Sequence, residues 1–482
     1  MASSVAGSVT RRRAGTGCKV GSSMSPQLLS MALAPLLGLF ILGIGNGFLA
    51  SLITLRLDAA GESVTTIGWV SAAYYIGLAI GALFNDRLLL RIGHIRAYAC
   101  FASLVAVTVL LQGLWLNAGL WFTLRMIGGW ATLGVYLVIE SWLLTAADTR
   151  VRGRLLALYM ISLYGAGVIG QLLLGVADSA GASQPFMIIA ILASLSVLPL
   201  GMIPRVSPLI EHAEPLSPWR LITVTPTGVM GCFGSGLAIS AIYSLLPLYL
   251  QRSGFDVQKI GEMMAVLILG GMLLQYPIGR WSDRHDRQIV LILIGVAMTA
   301  LCLGMMLLPP LPWLLAVALF LLGGGVFALY PVAVSHAADR APAGALVRMS
   351  QGLLLINALG ATLSPPLITP LMTHVGDAGL FVALLCLGGC LVVFFVWRRS
   401  RRPAPAPVAP FTSNPPQSVV GAELVVTAAL VQGATEHEQQ EDLSQVVPEV
   451  ETAVPEAESA DPEAAAAGST QTSTDAETAT RG

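Results

Sequence analysis

Charge is scarce in this chain: 11% of its 482 residues are Asp, Glu, Lys or Arg, against roughly 25% in a soluble domain. With 55% hydrophobic residues and a mean hydropathy of +0.75, that shortfall excludes a water-soluble globular protein. Cysteine is too sparse to staple a fold. All six (Cys18, Cys100, Cys232, Cys302, Cys386 and Cys390) fall in predicted helices or the N-terminal segment, which excludes a disulfide framework. No cleavable signal is apparent, since the first apolar run begins near Leu28 and is too long for a signal core. A catalytic constellation is missing too. His94, His285, His336 and His374 lie apart, with no metal-ligand spacing, no phosphate-cradling loop and no nucleophile motif. An enzyme, a resident metal or cofactor, ATP-driven chemistry and nucleic-acid binding are therefore not expected.

What the chain does have is twelve long apolar stretches, near residues 31–55, 65–86, 97–116, 120–144, 155–177, 186–204, 224–250, 257–279, 288–308, 311–335, 347–372 and 378–397. In hydrocarbon every backbone polar group must be satisfied internally, so runs of roughly 20 apolar residues can only be helices. The expected fold class is an all-α membrane protein of twelve transmembrane helices, with lipid as its solvent.

Basic residues fall into every second gap. One set holds Arg11, Arg12, Arg13 and Lys19; Arg87, Arg91 and Arg96; Arg150, Arg152 and Arg154; Arg205 and Arg220; Arg280, Arg284 and Arg287; Arg340 and Arg348; and Arg398, Arg399, Arg401 and Arg402. The alternate gaps hold only Arg56, Arg252 and Lys259. Such a bias orients helices with the basic side in the cytoplasm, which places both termini there.

The twelve divide six and six. Residues 1–27 form a cytoplasmic tail, 28–204 a six-helix bundle, 205–222 a Pro-rich cytoplasmic linker, 223–400 a second bundle, and 401–482 an acidic cytoplasmic tail. That last segment is rich in Pro, Ala, Glu, Ser and Thr, too polar to bury a core, and is expected to be disordered. The two bundles are related. A shift of 193 lays Ser51, Leu52, Leu55, Leu57, Gly61, Val64, Ile67, Gly68, Ala72, Gly77, Arg87 and Arg91 on Ser244, Leu245, Leu248, Leu250, Gly254, Val257, Ile260, Gly261, Ala265, Gly270, Arg280 and Arg284. A shift of 191 pairs Gly134, Val135, Ala146, Ala147 and Asp148 with Gly325, Val326, Ala337, Ala338 and Asp339. Parallel six-helix repeats belong to a transporter architecture in which two bundles rock about a site near the midplane.

At the cytoplasmic end of the eighth stretch stands Gly279-Arg280-Trp281-Ser282-Asp283-Arg284-His285-Asp286-Arg287. With the repeat and the helix count, this resembles the loop signature of the major facilitator superfamily, Gly-x-x-x-Asp-Arg/Lys-x-Gly-Arg/Lys-Arg/Lys, over roughly residues 28–400. The first-half copy departs from it. Asp86 takes the place of the motif's Gly and Leu90 that of its Asp, while Arg91, Gly93, His94 and Arg96 keep an Arg-x-Gly-x-x-Arg remainder. Arg91-Ile-Gly-His-Ile-Arg96, with Tyr136 and Glu140-Ser141-Trp142-Leu143, is similar to a bacterial branch of the superfamily, the YcaD-like proteins. The resemblance implies a monomer in the bacterial inner (plasma) membrane whose cytoplasmic gate loops use Asp86, Arg87, Arg91, Gly93 and Arg96 in one half and Gly279, Asp283, Arg284 and Arg287 in the other.

Arg125, followed by Gly129, resembles the superfamily's Arg-x-x-x-Gly signature, linked there to proton movement or anionic substrate; a snorkelling interfacial arginine is the alternative. Glu140 lies fifteen residues further along the same helix, roughly 22 Å away at 1.5 Å per residue, so the two do not pair. A carboxylate within an apolar helix is costly and usually functional, although an ion pair near the helix end explains it equally.

Polar side chains are unevenly spread. The sixth, ninth and twelfth stretches carry few, as lipid-facing helices should. Candidates for the solute and proton pathway are Asn46, Tyr75, Arg125, Glu140, Gln171, Tyr243, Gln275, Tyr330, Gln351 and Asn357, joined by Tyr74 and Tyr276; such groups also serve as interhelical hydrogen bonds. Pro365, Pro366 and Pro370 are expected to break the eleventh helix. The functional expectation is secondary active transport of a small neutral, weakly anionic or amphipathic solute, driven by protons. A membrane receptor or scaffold signalling through the acidic tail is the rival.

Overall fold

A computed structural model describes residues 26–146, 152–175, 181–202, 218–307, 311–340 and 346–401, and among them every regular element is an α-helix. The first half contains α1 (Pro26–Ala59), α2 (Val64–Ile92), α3 (His94–Leu114), α4 (Ala118–Ala146), α5 (Arg152–Leu172) and α6 (Gln184–Leu195), which leads into the short α7 (Val197–Gly201). The second opens with the short α8 (Pro218–Val224) and continues with α9 (Pro226–Arg252), α10 (Val257–Arg284), α11 (Arg287–Leu307), α12 (Pro312–Ala338), α13 (Leu346–Val375) and α14 (Gly379–Arg401). Eleven spans are long and apolar enough to cross a membrane, α6 and α7 forming one of them. The twelfth expected helix is α5, whose apolar stretch Ala157–Leu172 is shorter; its predicted continuation to residue 177 reaches beyond the described residues. The expected tails and most of the linker also fall outside them, as residues 1–25, 203–217 and 402–482.

The same packing scheme is built twice. In the first half α2 lies on α4, α1 on α5, and α3 on both α4 and α6; in the second α10 lies on α12, α9 on α13, and α11 on both α12 and α14. Residues matched by the 193 shift explain how. Gly61 and Gly254 take φ of 79 and 87 in the turns after α1 and α9, a conformation that costs glycine little. Ser63 and Asp256 then cap α2 and α10, accepting from the N–H of Thr66 and Lys259. One helical turn inside, Gly68 and Gly261 meet the opposite half: a Cβ on Gly68 would strike Thr369, and one on Gly261 the Gln171 carbonyl.

Deeper still, Gly77 and Gly270 let paired helices touch backbone to backbone. A Cβ at Gly77 would collide with the Met126 carbonyl and one at Gly270 with the Phe320 carbonyl; in return Gly129 faces Tyr74 O and Gly323 faces Leu267 O. Small residues at membrane helix crossings serve such close approach.

The halves meet mainly along α1 with α9, α2 with α13 and α5 with α10, with a smaller contact of α2 with α9. A buried hydrogen bond from Thr54 Oγ1 to Ser244 O, 2.9 Å, crosses the first seam. The spans of α6–α7, α11 and α14 are the least enclosed, 39%, 33% and 39% buried against 50% to 72% for the others, in agreement with their expected lipid exposure.

Two sequence expectations need correction. The prolines do not break the eleventh helix, since α13 runs unbroken through Pro365, Pro366 and Pro370. The helix is also tied to its neighbour there, where the Ser364 hydroxyl reaches across to Leu237 O of α9 at 2.6 Å. Likewise α2 does not stop near residue 86. It continues through Arg87 and Arg91 until Gly93, at φ 81, turns the chain and returns its N–H to Leu89 O.

Candidate functional site

A cavity of about 100 Å³ lies between the halves. Helix periodicity selects its walls: Gly43, Asn46, Gly47 and Ala50 recur at three- and four-residue spacing on one face of α1, and Ser71, Tyr74 and Tyr75 do the same on α2. Arg125 and Tyr136 come from α4, Leu163 and Gly167 from α5, Ile239, Tyr243 and Ser244 from α9, and Phe327 from α12. Ligand pockets commonly measure about 300–1,000 Å³, so this cavity is smaller than a common ligand site.

Among the described residues, Arg125 is the one cation on its wall. The guanidinium carbon sits 4.5 Å from the centre of the Tyr74 ring, a cation–π geometry. The residue is 9% exposed, Nε has no hydrogen-bond partner, and among the described residues no Asp or Glu forms an ion pair with it. Opposite it, Asn46 Nδ2 donates to the Tyr136 hydroxyl at 3.4 Å. Tyr243 stacks edge-on against Phe327, ring centres 6.1 Å apart, and Phe327 against Tyr164 at 5.4 Å, so aromatic rings close one side across the seam.

Of the ten pathway candidates, Asn46, Tyr75, Arg125 and Tyr243 line this cavity. Asn357 lines a smaller one of about 30 Å³ that shares Tyr75 and Ile239 with the first, and its amide donates to Cys232 O at 2.9 Å. Gln171 serves as an interhelical tie: it accepts from Ser51 Oγ and donates to Gly47 O, both at 2.7 Å. Gln275 is buried beside Tyr164, Tyr330 is enclosed at 1% exposure, and Gln351 is half-buried on α13; none of the three lines either of these two cavities. Tyr276, 68% exposed, points away from the interior altogether.

Glu140 stands behind the wall, one turn beyond Tyr136 on α4. It is 1% exposed, and the Tyr159 hydroxyl donates to its Oε1 at 2.5 Å. Arg125 and Glu140 form no ion pair, as their spacing requires.

The gate loops differ between halves. In the second, Arg287 is buried and bridges Asp283 and Asp339, each at 3.2 Å, while Arg399 meets Asp286 at 3.4 Å; Arg284 is exposed and Gly279 is buried. In the first, Arg87, Arg91 and Arg96 are exposed, Asp86 is half-buried, and Gly93 supplies the turn. Asp339 escaped the sequence reading of the gate, although its match with Asp148 across the repeat was the available signal. Also missed were Ser71, Ser244 and Phe327 in the cavity, and a charge cluster at the opposite end. There Arg252 at the end of α9 holds Asp58 of α1 at 2.7 Å and Asp377, in the α13–α14 turn, at 3.1 Å. Of these partly exposed pairs, Arg252–Asp58 joins the two halves and Arg252–Asp377 lies within the second.

Comparison with known proteins agrees with this geometry. The family model described as Major Facilitator Superfamily matches residues 35–345 and 233–435. An uncharacterised MFS-type transporter of Enterobacter sp. (strain 638) is 32% identical over 373 residues, covering 77% of this chain and 96% of that protein. The uncharacterised MFS-type transporter YcaD of Salmonella enteritidis PT4 is 32% identical over 375 residues, covering 78% and 97%. Among solved structures, the nucleoside transporter NupG superposes with a TM-score of 0.63 at 16% identity, covering 78% of this chain and 98% of its own. The D-xylose-proton symporter does so with 0.59 at 16%, covering 77% and 96%.

Proposed function

Because the chain belongs to the major facilitator superfamily, whose members are membrane transporters and not enzymes, we propose that it moves a small solute by secondary active transport, with protons as the coupled ion. Residues 28–204 and 223–400 act as two rocking bundles joined by 205–222, in a bacterial inner membrane with both termini in the cytoplasm, and the chain works as a monomer. The central cavity is the solute site. The observation that carries this reading is its position: walls from α1, α2, α4 and α5 on one side face α9 and α12 on the other, so a rotation between halves exposes the same residues to either side in turn. The solved neighbours, one a nucleoside transporter and one a sugar–proton symporter, support testing small polar solutes and protons first.

The test is a solute panel applied to proteoliposomes carrying an imposed pH gradient and an internal pH dye. At least one solute is expected to move protons about tenfold faster than in protein-free vesicles. Solute flux unaccompanied by proton movement would remove the coupling, and a protein inert to every solute class would remove the transport reading.

Arg252 supplies a second check. An exposed ion pair contributes only about 0–1 kcal/mol, so the Arg252–Asp58 pair across the seam forms a closure that thermal motion can open. Arg252→Ala is expected to raise, several-fold, the labelling of a cysteine introduced by Ala50→Cys, a cavity position, by an impermeant thiol reagent added outside. Unchanged labelling would mean that the outer seam is held by packing alone.

A further inference from the structure

The central cavity contains a cation, Arg125, that no Asp or Glu among the described residues neutralises. Arg125 is more than nine-tenths buried, and an uncompensated charge at membrane depth is costly. The ring of Tyr74 lies against it, 4.5 Å from the guanidinium carbon. The in-plane N–H groups remain, and Nε lacks an acceptor. A planar fork of donors fits a carboxylate with two parallel hydrogen bonds.

Resting on the assignment of this cavity as the solute site, we propose that the cargo is a small organic monoanion whose carboxylate seats on Arg125. One charge follows from the wall itself. Among the described residues no second Arg or Lys lines the cavity, so a dianion would leave a negative charge uncompensated in a low-dielectric space. Asn46, Ser71 and Ser244 add neutral hydrogen-bonding groups, whereas Leu163, Ile239 and Phe327 offer an apolar and aromatic surface to the rest of the molecule. The body of the anion is thus a compact ring or branched chain rather than a polyol.

Matched pairs of acid and amide isolate the charge, because each pair keeps its shape. The full chain in detergent is titrated with benzoate against benzamide, nicotinate against nicotinamide, and cyclohexanecarboxylate against its amide, at constant pH and ionic strength with sodium chloride as the salt control. Apparent affinity is read from the rise in thermal midpoint. At least one acid is expected to bind about tenfold or more tightly than its amide. Arg125→Gln is expected to bring that ratio to about one, and Arg125→Lys to keep the preference at reduced affinity, since a point charge replaces the fork.

Amides that match the acids, a preference that survives Arg125→Gln, or no shift with any acid would overturn the proposal. If Arg125→Gln is not monodisperse, the acid-to-amide ratio of the wild type and of Arg125→Lys decides. Counterflow of the same compounds in proteoliposomes, corrected for protein-free vesicles, separates this inference from the transport reading. Acid-selective binding without flux removes transport and leaves the anion site. Equal flux of acids and amides removes the anion site and leaves transport.

Discussion

Gly77→Val is expected to yield almost no folded protein, and Gly270→Val to do the same from the other half. At both positions the incoming Cβ would meet a backbone carbonyl of the partner helix, Met126 O or Phe320 O, and not the tip of a side chain that could swing aside. Overpacking a core usually costs about 1–3 kcal/mol, but relief here requires prising α2 from α4, or α10 from α12, along crossings that are themselves fixed by the reciprocal glycines Gly129 and Gly323. The loss should therefore exceed that range. Gly304→Ala is the control: its Cβ would meet nothing within 4 Å, so relief of helical glycine entropy should leave stability equal or raised by up to about 1 kcal/mol. Fluorescence-detected size exclusion and thermal midpoints of the three variants provide the measurement. A monodisperse Gly77→Val with a wild-type midpoint would mean that α2 and α4 are further apart than described.

Glu140→Gln is expected to abolish accumulation driven by a pH gradient, down to the level of protein-free vesicles, while solute exchange stays within about twofold of wild type. The amide keeps the shape of the side chain and an oxygen that can accept from Tyr159, but it carries no exchangeable acidic proton. Its place suits coupling. Tyr136, one turn away on the same helix, has its hydroxyl in the cavity wall and receives the Asn46 amide, so a change of charge at Glu140 is felt one helical turn from the solute. Uptake assays with and without an imposed gradient separate the roles. If both activities fall together, Glu140 is a packing residue; if neither falls, the proton travels elsewhere.

The repeat was the most legible part of this chain, and its physical content is now apparent. Gly61 and Gly254 are turn residues, Gly68 and Gly261 meet the opposite half, and Gly77 and Gly270 sit at helix crossings, so three matched glycine pairs stand for three different geometric needs. Which helices carry polar groups was also readable, and the less enclosed spans are the ones expected to face lipid. The face of each helix was not. Gln171 and Tyr330 belong to helices that line the cavity, yet both turn into interhelical packing, because uniformly apolar spans give no amphipathic signal to orient a lone polar residue. Arg252 was read only as a count in the charge bias, and its two carboxylates come from segments more than a hundred positions away in either direction, a juxtaposition that no local pattern encodes.

The three side chains clustered at Arg252 have a further consequence. Asp58, Arg252 and Asp377 are 17%, 32% and 35% exposed, so dissolved ions reach them, and at 0.15 M electrolyte the screening length is only about 8 Å. Rising ionic strength in the water at this end weakens the bridge from α9 to α1 while leaving the buried Arg287–Asp339 pair at the far end nearly untouched. The hold between the two halves at this end then depends on the medium it meets, even when neither cargo nor voltage changes.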